Sequence, residues 1–498
     1  MKISIFFPVF LYLNLLNLSG ISGPAYDNNQ NIRIAHQYLF ALRPLSAEKL
    51  LNSEETKNPQ NGYVIYYRLY GEILGLLIGN SAELYNNRVS VLNHYIDQLK
   101  RLPENAPEYR MLLGEAKVYS GLLQVKYSNK ISGLIVCLRG YNLLVENAEK
   151  YPLFESDRKI PGLIQIGVAF MPKILQWGIK ILGIKGNPKE GLAKLSEYSR
   201  FAEGKPGYEE EAFIFTMAAY KLMNQEDELM KMIYKKQVHY KEMALINYVA
   251  ATAAIEANDA NLSLELLSHI TPEKLEISFP PVNYLKGKAK MLRLDSDANI
   301  ILLNYLKESD GIDYLKTTLY DLTCYYYLSG DNSEYLNYRE QTKQKGRELH
   351  NRDIEAAFEV MKAEPSKIAL LRADYLTRGG YFERAEEELK KVVPTDTINE
   401  SEKVQYYFLI GECKRLKNQI NQAESAYLKA VVAGRSSGNY FAQKALVQSG
   451  LMMEKAGFKS DATKYYEACL HFKAKNNPYS DLFHNKAKAG LIRLSFRE

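Results

Sequence analysis

Apolar residues recur along the chain at spacings of three and four, and no stretch shows sustained strict alternation. That period places one apolar stripe on each helix and argues against strands. The first expected helix is Ile32–Leu42, ended by Pro44. Tyr63–Asn80 and Arg88–Leu102 follow, the latter stopped by Pro103. Tyr109–Tyr127 and Ile131–Lys150 read as an antiparallel pair. From Glu209 onward, looser pairs occupy Phe213–Tyr234, Ala244–Ile270, Tyr284–Leu306 and Leu315–Tyr338, the last turning at Gly330-Asp331. Arg352–Lys362 leads into the C-terminal part.

The clearest unit is Ser401–Gly434. Tyr407, Ile410, Gly411 and Lys414 share one helix face; Lys417-Asn418-Gln419 breaks the pattern; Ile420, Ala423, Tyr427, Ala430 and Val431 mark the next face. Gly411 and Ala423 are small where the two helices would cross, and a larger residue there would overpack the contact. A preceding copy runs from Ile368 to Pro394 with Tyr375, Gly379, Ala385 and Leu389 in equivalent places. A following copy runs from Tyr440 to Phe472 with Leu446, Gly450, Ala462 and Tyr466. Asp481–Leu494, after Pro478, suits a capping helix with one wet face.

These residues resemble the tetratricopeptide repeat, a helix–turn–helix unit of about 34 residues. Tyr407, Gly411, Ala423, Tyr427 and Ala430 fall on that family's aromatic and small positions; Lys414 departs from it, and the closing Pro is missing. The resemblance implies a stack whose first helices line a concave groove. In that register Gln405, Phe408, Glu412, Arg415 and Leu416 face the groove in one copy, and Lys444, Val447, Leu451, Glu454 and Lys455 in the next. Phe408 and Glu412 occupy places where a carboxylate-gripping subclass carries Lys and Asn, which argues against that mode. A mixed apolar and charged groove suits an extended peptide or a partner helix. Replacing Phe408 and Leu451 with Asp is therefore expected to abolish binding without unfolding the chain.

Two stretches stand apart from the repeats. Met1-Lys2, the apolar run Ile3–Leu18 and the small residues Ser19–Gly23 have the pattern of a secretory signal peptide, with Ser22 a plausible cleavage point. The same run, retained, would serve as a membrane anchor. The second stretch, Tyr151–Leu195, is punctuated by Pro161, Gly162, Gly167, Pro172, Gly183, Gly186 and Pro188, which argues against one straight helix. Three roles fit residues 160–188: a buried connector plugging the stack, a membrane-surface piece with Lys173, Trp177 and Lys180 at the interface, or the lining of an apolar pocket. Its pattern of Gly162, Gly167, Pro172, Gly183, Gly186, Gly191 and Leu192 is similar to that of the tetratricopeptide repeat protein 39 / inclusion-body clearance family. Exported repeat proteins of the Bacteroidetes share the layout.

Composition narrows the function classes. The 498 residues are 46% hydrophobic and 24% charged, ordinary for a globular chain. The 38 Tyr against one Trp read as helix-crossing residues, with carbohydrate or peptide stacking as the alternative. The net charge of +6 has no dense basic stripe, which speaks against nucleic acid. Cys137, Cys324, Cys413 and Cys469 lie far apart in apolar patterns and read as buried thiols; one disulfide is compatible with an oxidising compartment. Phosphate-loop, dinucleotide, zinc-protease and nucleophile-elbow motifs are absent, and the seven scattered His read as surface or capping residues. No metal or cofactor is expected.

The sequence thus predicts an all-α, right-handed superhelical stack of antiparallel helix pairs. It comprises a signal peptide (1–22), an N-terminal helical domain (24–200), divergent helix pairs (205–362) and a C-terminal array with its cap (363–498). The expected role is a non-enzymatic scaffold for a protein or peptide partner, exported to the periplasm or cell envelope, with peripheral membrane contact a further expectation. The alternative is a protein handling apolar ligand or lipid through residues 160–184.

Overall fold

The computed structural model describes residues 24–170, 184, 186–309, 311–348, 351–362, 365–392, 398–474 and 480–495. Twenty-four α-helices and no strands occur among them. The expected export segment lies outside the described residues, as do Pro172, Lys173, Trp177, Lys180 and Gly183 of the connector.

The N-terminal part contains α1 (Gln30–Phe40), α2 (Pro44–Lys57), α3 (Gly62–Gly79), α4 (Ala82–Leu99), α5 (Pro107–Tyr127), α6 (Lys130–Lys150), α7 (Lys159–Phe170) and α8 (Pro188–Ala202). Helix starts follow local chemistry. Asn29, Ser81, Asn129 and Asn187 each accept a hydrogen bond from a first-turn backbone N–H. Pro44, expected as a stop, instead opens α2 at its first position, where its missing N–H has no intrahelical partner to lose. Pro161 is accommodated likewise in the first turn of α7, so Lys159–Phe170 is one helix despite its Pro and Gly residues. The glycines there bring backbones together. A Cβ on Gly162 would lie 2.8 Å from the Gly191 carbonyl oxygen, and one on Gly191 2.6 Å from that of Gly162.

The middle of the chain pairs α9 (Tyr208–Leu222) with α10 (Glu226–Lys236), α11 (Ala244–Glu256) with α12 (Ala260–Ser268), and α13 (Pro281–Arg293) with α14 (Ala298–Glu308). Next come α15 (Leu315–Ser329), α16 (Asn332–Gln344) and α17 (Asn351–Val360). The turn at Gly330 is as expected: Gly330 is left-handed at φ 80°, and Asp331 caps α16 by accepting from Glu334 N.

The C-terminal array is α18 (Ile368–Gly379), α19 (Phe382–Lys390), α20 (Glu400–Leu416), α21 (Ile420–Gly434), α22 (Tyr440–Lys455) and α23 (Lys459–Leu470), followed by α24 (Ser480–Ser495). Gly411 meets the Tyr427 ring 2.5 Å from where a Cβ would stand, and Gly450 meets Tyr466 in the same way. Tyrosine against glycine is therefore the crossing device of this array. Ala423, Ala430 and Ala462 are fully buried beside these rings. Paired antiparallel helices, with small residues at the crossings of the C-terminal array, make the chain a tetratricopeptide-like α-solenoid.

Two features depart from a simple stack. First, α18 packs on α13, and Tyr381 in the turn after α18 donates to Asn261 Oδ1 of α12 at 2.7 Å, so α15–α17 form an excursion between neighbouring units. Second, α24 does not leave one face wet. Ala489 packs with Ile166, Phe170, Ala219 and Met223, and Arg493 Nη1 donates to the Met223 carbonyl at 2.6 Å. The last helix thus seats on α7 and α9, and the stack closes on its own N-terminal part.

Candidate functional site

The candidate groove is the side of the array lined by its first helices, α18, α20 and α22. Helix α17 meets it at Arg378 of α18 and at Tyr440, the first residue of α22. Asp353 Oδ1 accepts from Thr317 N at 3.1 Å and from Thr317 Oγ1 at 2.6 Å, binding α17 to the start of α15. Ile354 and Phe358, one helical turn apart, pack against the array's core. Phe358 meets the Tyr440 ring edge-on at 6.2 Å. Glu355 pairs with Arg352 at 2.5 Å and reaches Arg378 on α18 at 3.5 Å. Burial alone would raise the Glu355 carboxyl, but these two guanidinium groups outweigh it and hold it well below the usual range. Glu359 accepts from the Tyr440 hydroxyl at 3.3 Å; burial raises this carboxyl despite Lys362 beside it.

Several residues expected to face the groove are buried. Phe408 is 1% exposed and packs between Tyr427 and Phe441, with Lys444 Nζ 4.6 Å above its ring. Val447 is 2% exposed. Gln405 is buried and accepts from Ser366 Oγ at 3.1 Å. Glu412 is buried between the Arg415 guanidinium, at 3.0 Å, and the Tyr427 hydroxyl. Burial pushes its carboxyl up, yet Arg415 keeps it below the ordinary value. Arg415, Lys444 and Leu451 are half-buried. Lys455 is exposed and pairs with Asp227 of α10 at 2.9 Å, and Glu454 is buried against Arg493 at 2.6 Å. Gln405, Phe408, Glu412 and Lys444 therefore form one cluster, whereas Lys455 belongs to the contact with α10. An Asp at position 408 would enter the core, so the double substitution is expected to destabilise the array.

The residues that sequence reasoning missed are those of α17 and its cradle: Glu355, Glu359, Asp374, Arg378 and Tyr440. A signal for them existed. Ile354 and Phe358 share one face and Glu355 and Glu359 an adjacent one, which is the pattern of a groove-bound helix. Beside α17 lies a cavity of about 60 Å³ lined by Tyr320, Tyr327, Tyr335, Arg339 and Asp374. It is far below the roughly 300–1,000 Å³ of a ligand site. Among the described residues no group of three His, Cys, Asp or Glu could hold a metal, and no helix is long and apolar enough to cross a membrane. All four cysteines are free thiols. His36, expected at the surface, is fully buried against Phe40, Tyr67, Tyr70 and Tyr208; desolvation lowers it to about 4, so it is neutral at pH 7.

No protein-family model matches the chain, and no curated protein matches it in sequence. Among solved structures, the chain is similar to the tetratricopeptide domain of P58(IPK), at 14% identity and a TM-score of 0.22, over 82% of this chain and 97% of that one. It is also similar to human IFIT1, solved as a dimer with m7Gppp-AAAA, at 15% identity and a TM-score of 0.30, over 90% of this chain and 92% of that one.

Proposed function

We propose that the protein is an interaction scaffold that holds an amphipathic helix on the inner side of its C-terminal array and acts, after export, at the cell envelope. The observation that carries this reading is α17. A helix of mixed apolar and acidic character packs against the array, held by Arg378 of α18, by Tyr440 of α22 and by the Thr317 donors to Asp353. A groove that accepts this helix from its own chain has the chemistry to accept one from a partner. The export component rests on the basic start, apolar run and small residues of positions 1–23.

The test is affinity purification of the tagged chain from crosslinked cell envelopes, with mass spectrometry of what is retained. The expected result is a recurrent protein partner that Leu451→Asp weakens, since Leu451 is half-buried, packing on the edge of the array's core with part of its side chain open to solvent. Absence of any partner above background would overturn the scaffold reading. Recovery of the chain only from the cytosol would overturn the export component.

A second reading, apolar-ligand binding, is favoured by a different place from the 160–184 segment. A cleft of about 470 Å³ runs along α3, lined by Leu39, Leu51, Leu76 and Leu84 together with the ion pairs Arg68–Glu48 and Arg88–Glu72, and Gly75 has nothing within 4 Å. Lipid extraction of the purified protein, followed by mass spectrometry, decides whether it is filled.

A further inference from the structure

The α5–α6 hairpin carries an apolar surface that its own packing does not use. Its two helices touch through glycines: a Cβ on Gly133 would lie 2.7 Å from the Gly121 carbonyl oxygen, and one on Gly114 3.0 Å from that of Gly140. Backbone contact of this kind leaves the large side chains outside the hairpin's interface. Ile131, Leu134 and Ile135 on α6, and Leu122 on α5, are 74%, 51%, 45% and 53% exposed. Ile131, Ile135 and Leu138 stand at i, i+4 and i+7 and form one strip, with Leu134 at its flank. Four large exposed apolar residues at the tip of one hairpin form a patch, unlike singly scattered ones.

The hairpin's own charge around this patch is of one sign. From Ala116 to Val145 the chain contains no Asp or Glu, in a protein that has 58 of them. The same run holds Lys117, Lys126, Lys130 and Arg139. Lys126 is neutralised by Asp313 at 2.6 Å. Lys130 and Arg139 are exposed at either end of the strip. Lys117, Lys100 and Arg139 lie close enough that, after burial, their mutual repulsion helps lower Lys117. An apolar strip flanked on its own two helices by exposed cations and by no carboxylate is the pattern of a helix that lies in an anionic lipid headgroup layer.

We propose that the α5–α6 hairpin docks the protein on an anionic lipid surface, with Leu122, Ile131, Leu134 and Ile135 entering the headgroup layer and Lys130 and Arg139 meeting lipid phosphates. This surface is separate from the C-terminal groove and stands whether or not the groove binds a partner.

The experiment is flotation of the purified full chain with vesicles of phosphatidylcholine, with and without phosphatidylglycerol. The wild type should float with the phosphatidylglycerol vesicles, less so at high salt, and remain unbound with phosphatidylcholine alone. The variant Ile131→Asp with Ile135→Asp changes only exposed positions and should lower partition at least about tenfold, as should Lys130→Glu with Arg139→Glu. Circular dichroism of each variant confirms that the fold is kept; if the aspartate pair disturbs it, Ile131→Ser with Ile135→Ser carries the test. No flotation of the wild type, equal flotation with neutral vesicles, or undiminished flotation of both variant pairs overturns the proposal. So does a dimer in solution that dissociates on the Ile131 and Ile135 changes, because the patch would then be a self-association surface.

Discussion

Lys159 is buried in the N-terminal part with two carboxylates, and its replacement by methionine isolates what the charge does. Its Nζ lies 2.5 Å from Glu115 Oε1 and 3.3 Å from Glu211 Oε2, with all three side chains at most 3% exposed. Tyr66 donates to Glu115, and Tyr198 donates to Glu211 at 2.6 Å. Methionine keeps the volume and removes the ammonium, leaving two buried carboxylates with only hydroxyl donors. Breaking a buried pair in this way costs about 3–5 kcal/mol, or roughly 6–20 °C in the unfolding midpoint of a large cooperative unit. The cost has a pH signature. Burial raises Glu115 to about 7 even beside Lys159, while Lys159 holds Glu211 below its ordinary value against burial. A carboxyl whose folded pKa lies above its unfolded one, about 4.3, binds more protons when folded. Its contribution is therefore favourable at low pH and is lost as pH rises through the folded value. Without the ammonium both carboxyls are raised, so the loss in Lys159→Met is larger at about pH 8 than at about pH 5. Thermal unfolding across that range is the assay. Adding Glu115→Gln to Lys159→Met should recover part of the loss, by removing one unpaired charge. A shift under about 2 °C, a pH-independent shift, or a double variant less stable than the single one would refute the reasoning.

Gly162→Ala should cost about 1–3 kcal/mol by overpacking the crossing with Gly191, whereas Gly75→Ala, with open space around it, should gain about 0.5–1 kcal/mol from helix propensity; thermal midpoints of the two variants give the comparison. Phe408→Asp should destabilise the C-terminal array by about 4 kcal/mol or more and abolish its near-ultraviolet aromatic dichroism, since position 408 is core. Arg493→Met leaves Glu454 buried with the Tyr466 hydroxyl alone, so amides of α24 should exchange faster while those of α20 and α21 do not.

Local chemistry carried most of the helices into view. The 3.6-residue period, the Gly411–Tyr427 and Gly450–Tyr466 crossings, and the Gly330 turn are all properties of residues near one another in sequence. What stayed hidden depends on distant residues. Pro44 is as compatible with a helix start as with a stop, and only the packing of α2 on α3 decides between them. His36 reads as a surface residue until Tyr67, Tyr70 and Tyr208 enclose it. The burial of Phe408, Gln405 and Glu412 stayed hidden for a specific reason: the repeat register says which helix face is inward, but not what else the chain packs there. Nothing within Ser401–Lys455 announces that α17 and Ser366 lie on that face.

The buried charges bear on why a repetitive stack adopts one arrangement. Its apolar crossings are nearly interchangeable: tyrosine on glycine joins α20 to α21 and α22 to α23 alike, and a shift by one unit would bury much the same surface. The charged contacts do not repeat. Lys159 meets Glu115 and Glu211, Lys288 meets Asp321 at 2.6 Å with Tyr375 also donating to it, and Arg493 meets Glu454. Each joins elements from different places in the chain: α7 to α5 and α9, α13 to α15 and α18, α24 to α22. A misassembled stack would leave each of these cations and carboxylates buried without a partner, at a cost of several kcal/mol apiece. Their contribution to the correct structure is modest, because burial cancels most of the attraction. Their contribution to the gap between the correct structure and a slipped one is not. The arginine of α24 shows this most directly, since the same guanidinium that pairs with Glu454 also takes the Met223 carbonyl. One side chain thereby sets the register of the array's last helix and seats it on the N-terminal part.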